Sequence, residues 1–221
     1  MRWEDVLDPN NGYIKDDTVV FEVEVTVNAV SPIKISKVHL KPSEIRSLDL
    51  KDPRENMCRF IESHFYKHCR GGMIETIDIV SNKYLKPLFK QKQNEFKSKD
   101  IPHLPIFAYH GTNETNIENI LHFNFDVTKA KRQAHGQGNY FSENPNTALT
   151  YSDDKQTLLL CQILPGRQYN GPDHTWPEFE SKVVMSDQDN QINSDIPEMV
   201  IIINRSQILP CAVVHLLPRT K

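Results

Sequence analysis

Apolar and polar positions alternate along Val19-Val20-Phe21-Glu22-Val23-Glu24-Val25-Thr26-Val27, which predicts a strand rich in β-branched residues. The cluster Asp8-Pro9-Asn10-Asn11-Gly12 ahead of it predicts a turn. Pro32, Pro42 and Pro53 punctuate the next stretch, which reads as a linker into a new domain. The period then changes. Between Arg54 and Cys69, Met57, Phe60, Ile61 and Phe65 fall at helical spacing, and Gly71-Gly72 ends the helix. Met73 to Val80 predicts a strand with Ile74, Ile77 and Ile79 as core candidates. From Asn82 to Lys97 the residues Tyr84, Leu85, Leu88 and Phe89 share one helical face and lysines cover the other. Pro87 lies inside that helix and predicts a break near Lys86.

Beyond Pro105 the pattern turns strand-rich. Pro105 to Tyr109 predicts a short strand, and Thr115-Asn116-Ile117-Glu118 has the spacing of a capping box opening a helix over Ile117 to Leu121. Thr147 to Tyr151 predicts a further short helix. Thr157 to Leu164, Lys182 to Met185, Met199 to Ile203 and Cys211 to Leu217 are the remaining strands. No internal repeat is visible. The fold class is α+β with a mostly antiparallel, split β-sheet.

Composition narrows the function classes. The 221 residues are 38% hydrophobic and 25% charged, enough apolar material for a soluble core. A net charge of −3 does not indicate nucleic-acid binding through a basic surface. The four cysteines Cys58, Cys69, Cys161 and Cys211 are widely spaced without a CxxC, as expected of free thiols in a reducing compartment. No apolar run is long enough to span a bilayer and no leader-like segment opens the chain. The expected location is intracellular, with nothing to separate nucleus from cytoplasm. His64 and His68, at i, i+4 beside Cys69, have no further ligand pair nearby in sequence, so no metal is expected.

The candidate chemistry lies in Phe107-Ala108-Tyr109-His110-Gly111-Thr112, then Gly136-Gln137-Gly138-Asn139-Tyr140-Phe141-Ser142, then Tyr151. Each piece alone has a bland explanation: a turn after a strand, a pair of loop glycines, a core tyrosine. Their order and separation together resemble the catalytic domain of the PARP family of ADP-ribosyltransferases. The passage Ile77-Asp78-Ile79-Val80-Ser81-Asn82-Lys83-Tyr84-Leu85 is similar to the opening of that fold. The resemblance runs from about Leu48 to Pro218. It implies NAD+ as co-substrate, a protein acceptor and no metal. Such a site must stack the nicotinamide ring, fix the ribose hydroxyls and stabilise an oxocarbenium-like state. By resemblance, His110 and Tyr140 hold the first two positions of the family's His-Tyr-Glu set, and His110 meets a ribose hydroxyl. Gly111 lets its backbone approach the carboxamide, and Tyr140 and Tyr151 supply aromatic faces.

Two positions depart from the family. The late strand is Glu198-Met199-Val200-Ile201-Ile202-Ile203-Asn204. An ungapped alignment through Gln207 puts Met199 where active polymerases carry the glutamate that supports chain elongation. Glu198 takes that position only if the strand slips by one residue or carries a bulge. A thioether cannot act as a base, so the resemblance implies transfer of single units. Ala148 stands where some members have a serine that binds the carboxamide, a loss of about 1 kcal/mol. Lys129, Lys131, Arg132 and His135 lie on the loop that runs along the adenosine and phosphate side in the family; a solvated loop is the alternative.

Trp3-Glu4-Asp5-Val6-Leu7, Gly12-Tyr13 and Asp16-Asp17-Thr18, with the strand to Val27, resemble the last strands of a MATH (TRAF-like) domain. The expected organisation is a MATH-like C-terminal remnant over residues 1–30, a linker over 31–47 and the catalytic domain over 48–218. A start inside a domain suggests a truncated product or an incomplete gene model, and a fuller MATH domain would recruit partners. The rival to the enzyme is a catalytically silent module that binds NAD+ or ADP-ribose. RNA 2′-phosphate transfer on the same fold ranks last, for want of a basic cluster.

Overall fold

The computed structural model describes the backbone of residues 14–15, 18–19 and 34–39, then residues 53–69, 72–130, 133–153, 156–185 and 198–218, with side chains from Asn56 onward. The chain divides into two units, Met1–Pro32 and Ile33–Lys221. In the first, β1 (Ile14–Lys15) pairs antiparallel with β2 (Thr18–Val19). The predicted strand beyond Val19 and most of the MATH-like stretch lie outside the described residues.

In the second unit, five strands form one sheet in the order β3 (Lys34–His39), β4 (Ile74–Ser81), β11 (Ile208–Leu216), β7 (Thr157–Ile163) and β5 (Ile106–Gly111). All four pairings are antiparallel. A second sheet orders β6 (Asn139–Phe141), β10 (Met199–Ile202), β9 (Ser181–Val184) and β8 (Gln168–Tyr169), antiparallel except for β8 beside β9. The helices are α1 (Pro53–His68), α2 (Leu85–Ser98), α3 (Glu114–Phe123) and the short α4 (Pro145–Leu149). The fold is α+β with a split, mostly antiparallel sheet.

The run Leu158-Leu159-Leu160-Cys161 on β7 shows how the layers stack. Side chains alternate faces along a strand. Leu158 and Leu160 join Ile61 and Phe65 of α1 in one core, while Leu159, Cys161 and Ile163 join Ile117 and Leu121 of α3 and Val200 and Ile202 of β10 in another. A central strand covered on both faces reads as a continuous apolar run. Each buried leucine contributes about 1.5–3 kcal/mol.

Three local expectations are corrected. Residues 34–39, read as linker, form an edge strand on β4; this pairing is made by backbone groups and leaves no period-2 apolar signature. Pro87 neither breaks nor kinks α2. The helix starts at Leu85, so Pro87 sits in its first turn, where N–H groups lack intrahelical partners and a missing donor costs nothing. The start itself is set by buried Asn82, whose Oδ1 accepts from the Tyr84 and Leu85 amides at 2.9 and 3.1 Å. Lastly, α3 is capped by Asn113 rather than by a box at Thr115: the Asn113 side chain accepts from the Thr115 amide at 2.9 Å. Asparagine is as good an N-cap as serine and better than threonine, so the helix starts one turn earlier.

Candidate active site

Among the described residues a backbone bridge joins the two sheets at Tyr109 and Ser142. The Tyr109 amide donates to the Ser142 carbonyl at 2.7 Å and the Ser142 amide returns a bond to Tyr109 at 3.0 Å. Beyond that bridge β5 and β6 part, and a cleft of about 880 Å³ opens between them, walled on its far side by α3. That volume lies in the range of ligand sites, roughly 300–1,000 Å³. His110, Gly111, Tyr140, Tyr151, Ala148 and Met199 all line it, so residues from five segments of the chain converge on one cavity.

His110 lies inside β5, next to its last residue. Its Nδ1 is 2.7 Å from the Tyr140 carbonyl oxygen, which can only accept, so Nδ1 carries the proton and Nε2 is an acceptor in the neutral ring. Phe125 meets the ring edge-on at 4.8 Å and Phe141 lies at 5.4 Å. Burial among these rings pushes its pKa down to about 4, against the Tyr140 carbonyl, which favours the charged form. His64, on α1, is likewise depressed to about 4 by burial, with His68 and Lys67 adding repulsion.

These shifts carry a sign. Between pH 6.5 and 4 the unfolded chain protonates both histidines while the folded chain does not, so stability present above pH 6.5 is lost as pH falls through this window. Urea unfolding should show stability dropping from pH 7 to pH 5, by at most about 1.4 kcal/mol per pH unit for each histidine. Residual solvent contact reduces that figure. The double variant His64→Gln/His110→Gln should flatten the slope; an unchanged slope would contradict the assignment.

Gly111 serves the site in two ways. A Cβ there would lie 1.9 Å from the Ala148 carbonyl oxygen, so only glycine lets β5 pass the end of α4. Backbone groups of alternate residues in a strand point to the same edge. Since Tyr109 bonds Ser142, the Gly111 N–H and C=O turn to that same side, away from β7. Continued pairing would place Tyr140 opposite, but the Tyr140 carbonyl is taken by His110. The Gly111 pair therefore faces the cleft as one donor and one acceptor.

Tyr140 is held by its own loop. Its hydroxyl donates to the Gly136 carbonyl at 2.6 Å and accepts from the His135 amide at 3.0 Å. Burial raises its pKa, and the nearby Tyr151 adds to the rise. The half-exposed Tyr151 approaches β10, its hydroxyl 3.7 Å from the Met199 sulfur. Met199 is 6% exposed and lies on the cleft, whereas Glu198 is exposed and off its lining. β10 pairs with β9 and β6 without a register shift, so the described residues show no slip that would bring Glu198 inward.

Of the basic loop residues, Lys129 and His135 line the cleft, and Lys131 and Arg132 lie outside the described residues. Lys129 approaches Asp126 at 4.0 Å. Arg205 also lines the cleft and has no signal in the linear sequence. Asn113, Asn116 and Asn119 form a polar face of α3 on the cleft; their i, i+3, i+6 spacing was the available clue. Asp153, anchored by Asn113 Nδ2 at 2.6 Å, places a carboxylate at the rim. His64 is spent elsewhere, with Nδ1 3.1 Å from the Tyr109 hydroxyl, and Cys69 donates to Asn146 at 3.4 Å. Among the described residues no group of three or more His, Cys, Asp or Glu could hold a metal ion, and no helix is long and apolar enough to cross a membrane.

The family model of the poly(ADP-ribose) polymerase catalytic domain matches residues 59–198. This segment runs from α1 to the residue before β10 and contains His110, Gly111, Tyr140 and Tyr151. A comparison with curated proteins found no match.

Proposed function

Because the chain belongs to the poly(ADP-ribose) polymerase catalytic-domain family, an NAD+-dependent class of ADP-ribosyltransferases, we propose that it transfers single ADP-ribose units to a protein acceptor and releases nicotinamide. The co-substrate supplies both the ADP-ribosyl group and a leaving group that departs as neutral nicotinamide, while the acceptor binds the anomeric carbon and loses its proton. The chain's own residues bind and orient.

The edge-on N–H and C=O of Gly111 match the acceptor and donor of a primary carboxamide. Tyr140 and Tyr151 offer faces for a flat ring. His110 Nε2, kept as an acceptor by the Nδ1 bond to Tyr140, is suited to take the proton of a ribose hydroxyl in a hydrogen bond. Lys129 and Arg205 provide charge for a pyrophosphate. Met199 begins β10 and Arg205 follows its other end, and both line the cleft.

The single observation that carries the single-unit reading is Met199 against Tyr151 at the cleft. Its thioether has no proton to give and little capacity to take one. The proposed setting is intracellular; a fuller MATH-like region would act by recruiting partners. The test incubates the full chain with NAD+ and candidate protein acceptors, read by intact mass and released nicotinamide. Discrete additions of one ADP-ribose are expected. A heterogeneous ladder would contradict the single-unit reading. NAD+ binding with no release of nicotinamide under any acceptor would favour a silent binding module, for which Met199 and Ala148 speak.

A further inference from the structure

Behind the cleft, one row of side chains crosses the second sheet. Tyr140 pairs with Ile201, Ile201 with Lys182, and Lys182 with Tyr169. Directly paired residues share a face, and this face is opposite the one where Phe141, Val183, Val200 and Ile202 form the core. Lys182 on that face is 4% exposed, an unusual place for a lysine. Its Nζ donates to the Asp173 carbonyl at 2.7 Å and lies 5.7 Å from the centre of the Trp176 ring and 5.9 Å from that of Tyr169. These are cation–π distances. None of Lys182, Trp176 and Tyr169 lines the cleft, so their arrangement does not serve direct contact with a ligand bound there.

Trp176 supplies the connection. It is 4% exposed, and its ring packs on Gly136: a Cβ at Gly136 would sit 2.8 Å from Trp176 Cζ3 and 2.5 Å from the His174 carbonyl oxygen. Gly136 has φ +109°, a conformation open to glycine and strained for other residues. Its carbonyl accepts the Tyr140 hydroxyl at 2.6 Å, and the adjacent His135 amide donates to that same oxygen. Lys182, Trp176, Gly136 and Tyr140 thus form a continuous line of contacts from a buried cation to a cleft aromatic. Trp176 also lines a separate cavity of about 300 Å³ with Phe96, Phe179 and Ile203.

We propose that Trp176, gripped by Lys182, is a positioning residue that sets the location of the Tyr140 ring by pressing on Gly136. The placement is independent of the reaction; only the ligand used to read its consequence rests on the ADP-ribosyltransferase reading. The experiment uses the full chain labelled with ¹³C at the tyrosine Cζ, one signal for each of its seven tyrosines. Those of Tyr140, Tyr151, Tyr109 and Tyr169 are assigned by single Tyr→Phe variants. Trp176→Leu removes the ring, and Lys182→Met releases it without truncating it, which keeps a readable variant if the first fails to fold.

Both variants should move the Tyr140 signal beyond its linewidth, together with that of neighbouring Tyr169, while Tyr109 and Tyr151 stay in place. Affinity for NAD+ should fall about tenfold, the worth of one or two net hydrogen bonds. In a Tyr140→Phe background, where the hydroxyl link is gone, Trp176→Leu should change affinity less than about twofold, since coupling is expected only between residues in one network. An unmoved Tyr140 signal in folded Lys182→Met would overturn the proposal. So would an undiminished affinity loss in the Tyr140→Phe background, which would mark a merely structural role. If the unmutated protein fails to bind NAD+ while Tyr140 still responds, the positioning stands and the ADP-ribosyltransferase reading falls.

Discussion

Replacing His110 by alanine should reduce nicotinamide release from NAD+ by about a hundredfold or more, the scale on which misplacing a reacting group costs rate. The tautomer of His110 sets this expectation. The Tyr140 carbonyl 2.7 Å from Nδ1 dictates that this nitrogen carries the proton, leaving Nε2 as a hydrogen-bond acceptor. Burial between Phe125 and Phe141 depresses the pKa to about 4, so the ring is neutral throughout the physiological range. A charged imidazole would offer a donor at Nε2 where an acceptor is wanted. Alanine removes the acceptor and also releases the Tyr140 carbonyl, so both halves of the cleft lose an anchor. Initial rates of nicotinamide release, with melting temperature as the check on folding, decide the matter. A folded His110→Ala protein that retains half the wild-type rate would remove His110 from the site.

That residue and its partners show where the sequence was legible. His110-Gly111, Tyr140 and Tyr151 stood out only through an order and separation that resemble the family's, while the continuously apolar β7 and the helical spacing of α1 made the surrounding fold legible. Tyr140 lies in β6, a three-residue strand bounded by loop glycines, too short to show a period. Its strand character comes from pairing with β10, a tertiary event. The Asn113 cap and the harmless Pro87 were misread by one turn. In each case a nearby competing signal, the Thr115 to Glu118 spacing and an apolar face extending back to Asn82, outweighed the true boundary. Arg205 and the Lys182–Trp176 pair were invisible for a different reason: Lys182 is placed by strand register across the second sheet, which is not written in any single segment, while Arg205 and Trp176 lie outside the strands, in a 3-10 turn and a loop. The tautomer of His110 is of this kind too, since its partner is thirty residues away.

Register also decides the chemistry at β10. If transfer is of single units as proposed, Met199→Glu should convert discrete additions into an extending ladder, because it places a carboxylate at the cleft face beside Tyr151. Methionine and glutamate are both unbranched and of similar reach, so the site can hold the new side chain with little repacking. Met199 is 6% exposed, so burial will push the new carboxyl's pKa up, while a hydrogen bond from the Tyr151 hydroxyl, now 3.7 Å from the sulfur, will pull it down. The expected stability loss is about 1–3 kcal/mol, the usual range for a buried polar group only partly satisfied. Melting temperature measures it. Glu198→Gln is the paired control: Glu198 is exposed and outside the cleft lining, so this variant should leave both rate and product length unchanged. If folded Met199→Glu protein still binds NAD+ yet adds only single units, product length is set elsewhere. If instead Glu198→Gln lowers activity, β10 in the working enzyme must sit one residue from its present register. Side chains alternate along a strand, so that slip would also turn Val200 and Ile202 out of the core they share with Leu159 and Phe141. The cost of exposing that face is what holds Met199, and not its acidic neighbour, against the cleft.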